Sequence, residues 1–319
     1  MWRILVVLLA LMPSAAYAHT KWFADTPLAP FTTTEPTMLY LLCIGVIVAG
    51  IVALGIYCER RGLIQLAFLH PSGGHAFTRA ASVFSMVAGA FFVIAGFYGY
   101  LFSPNITADA GIPLWIIHVQ IAIGLAFLLG VVARVAAIGL LALWVSGFFY
   151  VGAITSLENI WVASTAFFVV LMGNDYFSLV SVRVIGKYVQ HLKIYALPVL
   201  RMGTGATLLF LGFSEKILHP EFGIHFLEGH PWNFMQLLGV PYSDYLFTLS
   251  AGAVESLFGV IFILGVVTRF HALVVAIFFS IPLFILGPME LTGHMPHFAA
   301  ILILLLFGAG THAKVQRKA

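Results

Sequence analysis

A chain of 319 residues that is 61% hydrophobic and 8% charged, with a mean hydropathy of +1.05, is not a soluble domain, in which roughly 25% of residues are charged. The net charge of +3 is uninformative by itself, but the basic residues are dispersed and form no patch, which leaves nucleic-acid binding without support. With Cys43 and Cys58 as its two cysteines, the chain carries neither a CxxC redox motif nor a disulfide framework.

At the start, Arg3, the apolar run from Ile4 to Met12 and Ala16-Tyr17-Ala18 match the three parts of a secretory signal, predicting removal of residues 1–18. An uncleaved anchor is the alternative, for which the apolar stretch is short. Cleavage after Ala18 would leave His19 as an outer-side N-terminus, whose free α-amine and imidazole would chelate copper as a bidentate unit. The neighbouring Trp22 is equally read as an interfacial anchor.

Apolar segments long enough for ~30 Å of hydrocarbon then follow almost without a break. They predict spans at about 38–58, 78–101, 113–131, 134–154, 159–175, 195–216, 243–266, 269–288 and 295–311. The two cysteines fall near opposite ends of the first span, about 22 Å apart at the helical rise, too far to pair. With the mature N-terminus outside, 12 of the 14 basic residues after the signal lie on the inner side, and only Lys21 and Lys216 lie outside. The positive-inside rule therefore predicts a bacterial-type inner membrane protein with a periplasmic N-terminus and a cytoplasmic basic tail at 312–319.

The chain also repeats itself. GVVAR at 130–134 returns as GVVTR at 265–269, and the apolar runs that follow end near Gly173 and Gly308, both displaced by 135 residues. On this register Gln120 falls opposite Glu255. Four spans per copy return the chain to its starting side, so the copies share one orientation. The predicted fold is all-α: two tandem four-helix bundles at 78–175 and 195–311, preceded at 19–77 by a periplasmic segment and one extra transmembrane helix. The basic and aromatic segment at 176–194 is expected to join them as an amphipathic helix on the inner leaflet.

Leu197 to Gly310 carries Arg201 followed by GATLLFLGFSEKI, then AGAVESLFGVIFILGVVTRFHAL, then the closing AAILILLLFGAG. This pattern resembles the DoxX/DoxD family of four-helix membrane proteins, which shows an Arg opening its first helix, a Lys ending it, and a Glu with glycines before a Gly-x-x-Thr-Arg turn. The corresponding residues are Arg201, Lys216, Glu255, Gly259, Gly265, Thr268 and Arg269. Residues 79–175 resemble a weaker second copy without the Glu and the Lys. The resemblance implies, for some members, likeness to the membrane subunit of thiosulfate:quinone oxidoreductase, and for others a link to redox or thiol homeostasis.

Glu255, deep in its span, sits where an acidic side chain costs ~2.5 to 3.5 kcal/mol on insertion scales, so something must offset it. One reading makes it the proton-exchanging group beside a quinone or another ligand. The other has it locking the bundle through a neighbouring hydroxyl, Arg201 or Arg269. Lys216 suits an anionic substrate such as a sulfur oxyanion, or snorkels to the interface. Glu215 and Lys216 point about 100° apart on a helix, so one of them is expected to face the bundle. His219, His225, His230, His294 and His297 gather on the outer side with Glu158, Glu221, Glu228, Asp244 and Glu290, an inventory that suits zinc or copper, a proton relay, or ordinary interfacial histidines. Pro296 is expected in a first helical turn, so that His294 and His297 straddle the helix start.

The candidate site is thus Glu255, Lys216 and Arg201 for chemistry, Glu255, Arg269 and Glu215 for a quinone, and His19, His294 and His297 for a metal. Three functions compete: a quinone-reactive or redox-accessory subunit with a periplasmic or membrane redox partner, a small-solute or metal transporter with its site between the halves, and an assembly factor without chemistry.

Overall fold

The computed structural model describes residues 28–108, 111–286 and 289–310, apart from the side chains of residues 183 and 284–291. The signal at 1–18, the candidate ligand His19 and the tail at 312–319 lie outside the described residues, as does the side chain of Glu290. The chain is helical: α1 (Thr37–Arg60), α2 (Ala76–Phe97), α3 (Leu114–Leu129), α4 (Ala133–Tyr150), α5 (Ala153–Glu158), α6 (Ile160–Met172), α7 (Arg183–Tyr188), α8 (Ala196–Leu211), α9 (Pro220–Gly229), α10 (Phe234–Leu237), α11 (Asp244–Leu264), α12 (Thr268–Leu286) and α13 (Met289–Phe307). The departure from an all-α chain is a short antiparallel pair, β1 (Tyr100–Leu101) with β2 (Ser103–Thr107).

Among the described residues, five helical stretches are long and apolar enough to cross a membrane: α1, α2, α4, Gln190–Ile217 around α8, and α11. Shorter apolar stretches occupy α3, α6, α12 and α13. This is a multi-pass membrane protein, and each predicted span overlaps one of these helices, the span at 78–101 running past the end of α2 at Phe97 into β1. In α1 only 6% of the apolar window is fully buried within the protein, so the rest of the chain leaves most of this helix's apolar surface uncovered.

Packing proceeds in two sets. In the first, α2 lies on α3, α3 on α4 and α4 on α6; in the second, α8 lies on α11, α11 on α12 and α12 on α13. Between the sets, α6 packs on α8 and α13 on α2. Glycine makes the closest crossings possible: a methyl on Gly259 would stand 2.5 Å from the Gly205 carbonyl oxygen, and one on Gly89 would stand 2.6 Å from that of Gly124. The turns before α4 and α12 match, with left-handed Gly130 (φ 63°) and Gly265 (φ 72°) followed by left-handed Val132 (φ 44°) and Val267 (φ 41°).

At one end the seam between the sets is apolar, built from Phe84 of α2, Phe168 of α6, Leu200 of α8 and Phe307 of α13, with Phe84 edge-on to Phe168 at 5.0 Å. α1 docks on the second set. Val48, Val52 and Ile56 pack against Leu257, Ile261 and Val266, and Glu59 accepts the Val267 amide at 2.9 Å. The opposite end of α1 is tied by hydroxyls, Thr37 to Tyr245 at 2.8 Å and Tyr40 to Tyr242 and Ser250.

The connecting segment corrects one expectation. It is not a single amphipathic helix: α7 is followed by a separate 3₁₀ stretch, Gln190–Tyr195. Before α7 the backbone is extended because Val180 is bridged to the GVVAR turn, with Val132 N–H donating to the Val180 carbonyl at 2.8 Å. A backbone held in that bridge cannot also close helical hydrogen bonds.

Candidate functional site

α8 does not end as a regular helix. It widens into a π-helical stretch, Gly212–Ile217, where Leu218 N–H reaches the Phe213 carbonyl at 2.8 Å. Gly212 lies against the backbone of Gly252 on α11, and a methyl on Gly252 would stand 2.8 Å from Lys216 Cβ. This close crossing seats Lys216 beside Glu255. Lys216 Nζ donates to Glu255 Oε2 at 2.6 Å, with the two side chains 16% and 19% exposed.

The partner of Glu255 is therefore Lys216, not Arg201, Arg269 or a hydroxyl. At the corresponding place in the first set, Gln120 is fully buried and donates to the carbonyls of Tyr100 at 2.9 Å and Phe92 at 3.3 Å, while its own oxygen accepts the Phe102 amide at 2.9 Å. All three of these hydrogen bonds are made inside the first set.

The π stretch has a second consequence. Ser214 and Glu215 turn away from α11 toward the seam, where Ser214 Oγ donates to Glu158 Oε1 at 2.7 Å. Glu158 closes α5 and is 4% exposed; Glu215 is 2% exposed. Both line a small cavity of about 20 Å³, room for water, together with Trp161, Thr207 and His297. His297 is 5% exposed and tilted against Trp161 at 5.3 Å, and neither of its ring nitrogens has a hydrogen-bond partner. The cavity lies on the same seam as the apolar Phe84–Phe168 cluster, at the opposite end.

The three buried arginines are helix-end clamps. Arg134 grips Asp175 with both guanidinium nitrogens, at 2.6 and 2.7 Å, and also donates to the carbonyls of Val170 at 3.1 Å and Met172 at 3.0 Å. Arg201 donates to the carbonyls of Phe262 and Ile263 at the end of α11, the latter at 2.9 Å. Arg269 reaches the Leu306 carbonyl at 3.4 Å and the His70 ring at 3.3 Å. A guanidinium at carbonyls left open by a helix C-terminus complements both the unpaired oxygens and the helix dipole. Arg201 and Arg269 thus stand at the far end of the helices from Lys216–Glu255.

His294 and His297 correct a second expectation. α13 begins at Met289 and carries Pro296 inside it, so the two histidines lie one turn apart on one helical face, with rings 6.2 Å apart. An interior proline forfeits one backbone hydrogen bond, a loss that neighbouring helices commonly absorb in membrane proteins. Among the described residues, no group of three or more His, Cys, Asp or Glu stands close enough to hold a metal ion. His219 and His225 pair instead with Glu221 at 2.9 Å and Glu228 at 3.2 Å along α9.

No protein-family model, curated protein or solved structure matches this chain. The site must accordingly be read from its own residues.

Sequence reasoning reached Lys216, Glu255, Glu215 and His297 but did not join them correctly. Glu158 stood only in the inventory of outer carboxylates, and Ser214 was not singled out. The available signal was the Ser-Glu-Lys run itself: three polar residues closing an apolar helix cannot all face one neighbour, and here they serve two.

Proposed function

We propose that this chain is an inner-membrane protein of two like-oriented four-helix bundles with α1 as an added span, N-terminus outside and tail inside. We further propose that it works as a quinone-reactive or redox-accessory subunit. The matching left-handed turns at Gly130 and Gly265, the paired glycine crossings and the reciprocal packing of α6 on α8 and α13 on α2 support the bundle reading. The distribution of Lys and Arg supports the orientation.

The functional reading is carried by one observation. An acid and a base, Lys216 and Glu255, stand 2.6 Å apart in apolar surroundings, partly open to the exterior of the bundle, where the other half holds a neutral amide. Quinone chemistry couples electron transfer to proton exchange at the carbonyl oxygens. Lys216 is a donor for such an oxygen, and Glu255 can take up and return a proton. The resemblance of 197–310 to the DoxX/DoxD family points the same way. Electrons would come from the quinone pool or from a partner subunit.

The test is saturable binding of a quinone to the purified chain in nanodiscs, comparing wild type with Glu255→Gln. The reading expects binding that the substitution weakens by about tenfold, near 1.4 kcal/mol. Absence of binding by the folded wild type overturns the quinone reading; equal binding by both removes Glu255 from the site.

A further inference from the structure

Just past α1, and again where the two helix sets are joined, the chain exposes large apolar side chains that its own packing leaves uncovered. After α1 they are Leu63, Ile64 and Phe68, the last 81% exposed; in the connecting segment they include Phe177, Leu179, Tyr188 and Ile194, with Tyr188 at 76%. The connecting segment also has an inner face, on which Val189 and Leu192 pack with Phe77 into the cluster of Phe168 and Phe307. Its outward residues therefore belong to a docked segment. Both stretches lie at the end of the helices where the arginine clamps sit: Glu59 accepts the Val267 amide, Arg269 reaches the His70 ring, and Arg79 lies 4.8 Å over the Tyr176 ring.

Cations are interleaved with these apolar side chains. Arg60, Arg61, Arg79 and Lys187 are exposed, and Lys193 is half-exposed. The carboxylates of residues 57–79 and 174–197 are Glu59 and Asp175, and each is already engaged, Glu59 at the Val267 amide and Asp175 in the Arg134 fork. Arg61 and Arg79 lie over the rings of Tyr57 and Tyr176, which leaves the edge of each guanidinium for a phosphate. The opposite end of the helices provides the contrast. Phe234, Leu237 and Leu238 are exposed there to a similar degree, yet the charged residues of 218–244 are Glu221, Glu228 and Asp244, all acidic.

Apolar side chains standing among cations at a helix end match the boundary between acyl chains and phosphates. A zwitterionic headgroup brings its own ammonium to that layer, whereas an acidic one leaves its charge for the protein to meet. We propose that the clamp end of the molecule, formed by 60–68, Arg79 and 176–195, is a docking surface for the headgroups of acidic phospholipids. Headgroups bound across it tie the end of α1 and the segment joining the two sets to one lipid layer. The surface needs only that the chain resides in a membrane, and it stands without the quinone reading.

The experiment uses the full chain in phosphatidylcholine nanodiscs with increasing fractions of phosphatidylglycerol. Thermal melting is followed, and lipid kept by the chain after transfer to detergent is counted by native mass spectrometry. Phosphatidylglycerol should raise the melting temperature saturably and be retained over phosphatidylcholine by about tenfold or more, and high salt should abolish the preference. Two paired variants, Lys187→Gln with Lys193→Gln and Arg60→Gln with Arg61→Gln, change side chains outside the packed core, and each pair should cut the preference by about fivefold or more. Equal retention of the two lipids by the folded wild type overturns the proposal, as does a preference that high salt or both paired variants leave intact. A melting shift reproduced by inorganic phosphate without acidic lipid would assign these cations to a soluble anion. Recovery of a protein partner through the same residues, with no lipid preference, would assign them to a protein; either result overturns the lipid surface.

Discussion

Lys216 Nζ lies 2.6 Å from Glu255 Oε2, in the place where the other half of the molecule sets the Gln120 amide 2.9 Å from the Tyr100 carbonyl. One half closes this contact with a neutral hydrogen bond and the other with an ion pair. The cost of a carboxylate inside an apolar bundle is offset locally, by the residue that the π stretch turns toward α11.

If that is the balance, removing one charge is worse than removing both. Lys216→Met and Glu255→Gln should each destabilise the chain by about 3 kcal/mol, because each leaves an uncompensated charge. The double variant should lose clearly less than the sum, as a thermal-melt double-mutant cycle would read. Additive losses would mean that the two side chains do not interact.

Glycine crossings make a prediction with an internal control. Gly259→Ala puts a methyl against the Gly205 carbonyl and Leu209 amide, at 2.5 and 2.7 Å, and should cost more than about 2 kcal/mol. Gly45→Ala, on lipid-facing α1 with nothing within 4 Å, should be neutral or stabilising by up to about 1 kcal/mol. Comparable melting temperatures for the two variants would argue against the close α8–α11 crossing.

The Arg134 clamp depends on fork geometry as well as charge. Asp175→Ala should cost about 1 to 2 kcal/mol, allowing for the 34% exposure of Asp175. Arg134→Lys should cost at least as much, since an ammonium cannot hold both Asp175 oxygens and the Val170 and Met172 carbonyls together. Chemical denaturation in mixed micelles would rank the two.

Docking of α1 is checked by thiol chemistry. Cys58 is buried one residue before Glu59, whose carboxylate accepts the Val267 amide. In a Cys43→Ala background, Glu59→Ala should speed maleimide labelling of Cys58 by roughly threefold or more, as the end of α1 opens more often. An unchanged rate would show that apolar packing alone holds α1.

Local features carried much of the architecture in the sequence. A run of apolar residues long enough for the bilayer has to be a helix, because lipid offers no other partner for the backbone, and every predicted span overlaps one, although the second runs on into β1. Likewise Gly-Val-Val-x-Arg specified the same left-handed turn twice, since a glycine just past a helix end takes the conformation that other residues resist.

Contacts across the bundle were not legible in the same way. Glu255 had several possible partners by sequence. The choice of Lys216 came from the Gly212–Gly252 crossing and the extra residue of the π stretch, neither of which follows from periodicity. Pro296 read as a helix start because proline suits a first turn, yet α13 runs through it, held by its neighbours, and so sets His294 and His297 on one face.

Membrane residence, the course of the helices and the repeated turns were all readable along the chain, because hydropathy and glycine conformations are local properties. Packing in three dimensions made Arg134, Arg201 and Arg269 helix-end clamps, and gathered Ser214, Glu215, Glu158 and His297 at the seam. Those arrangements depend on how closely helices distant in sequence approach, and at what rotation.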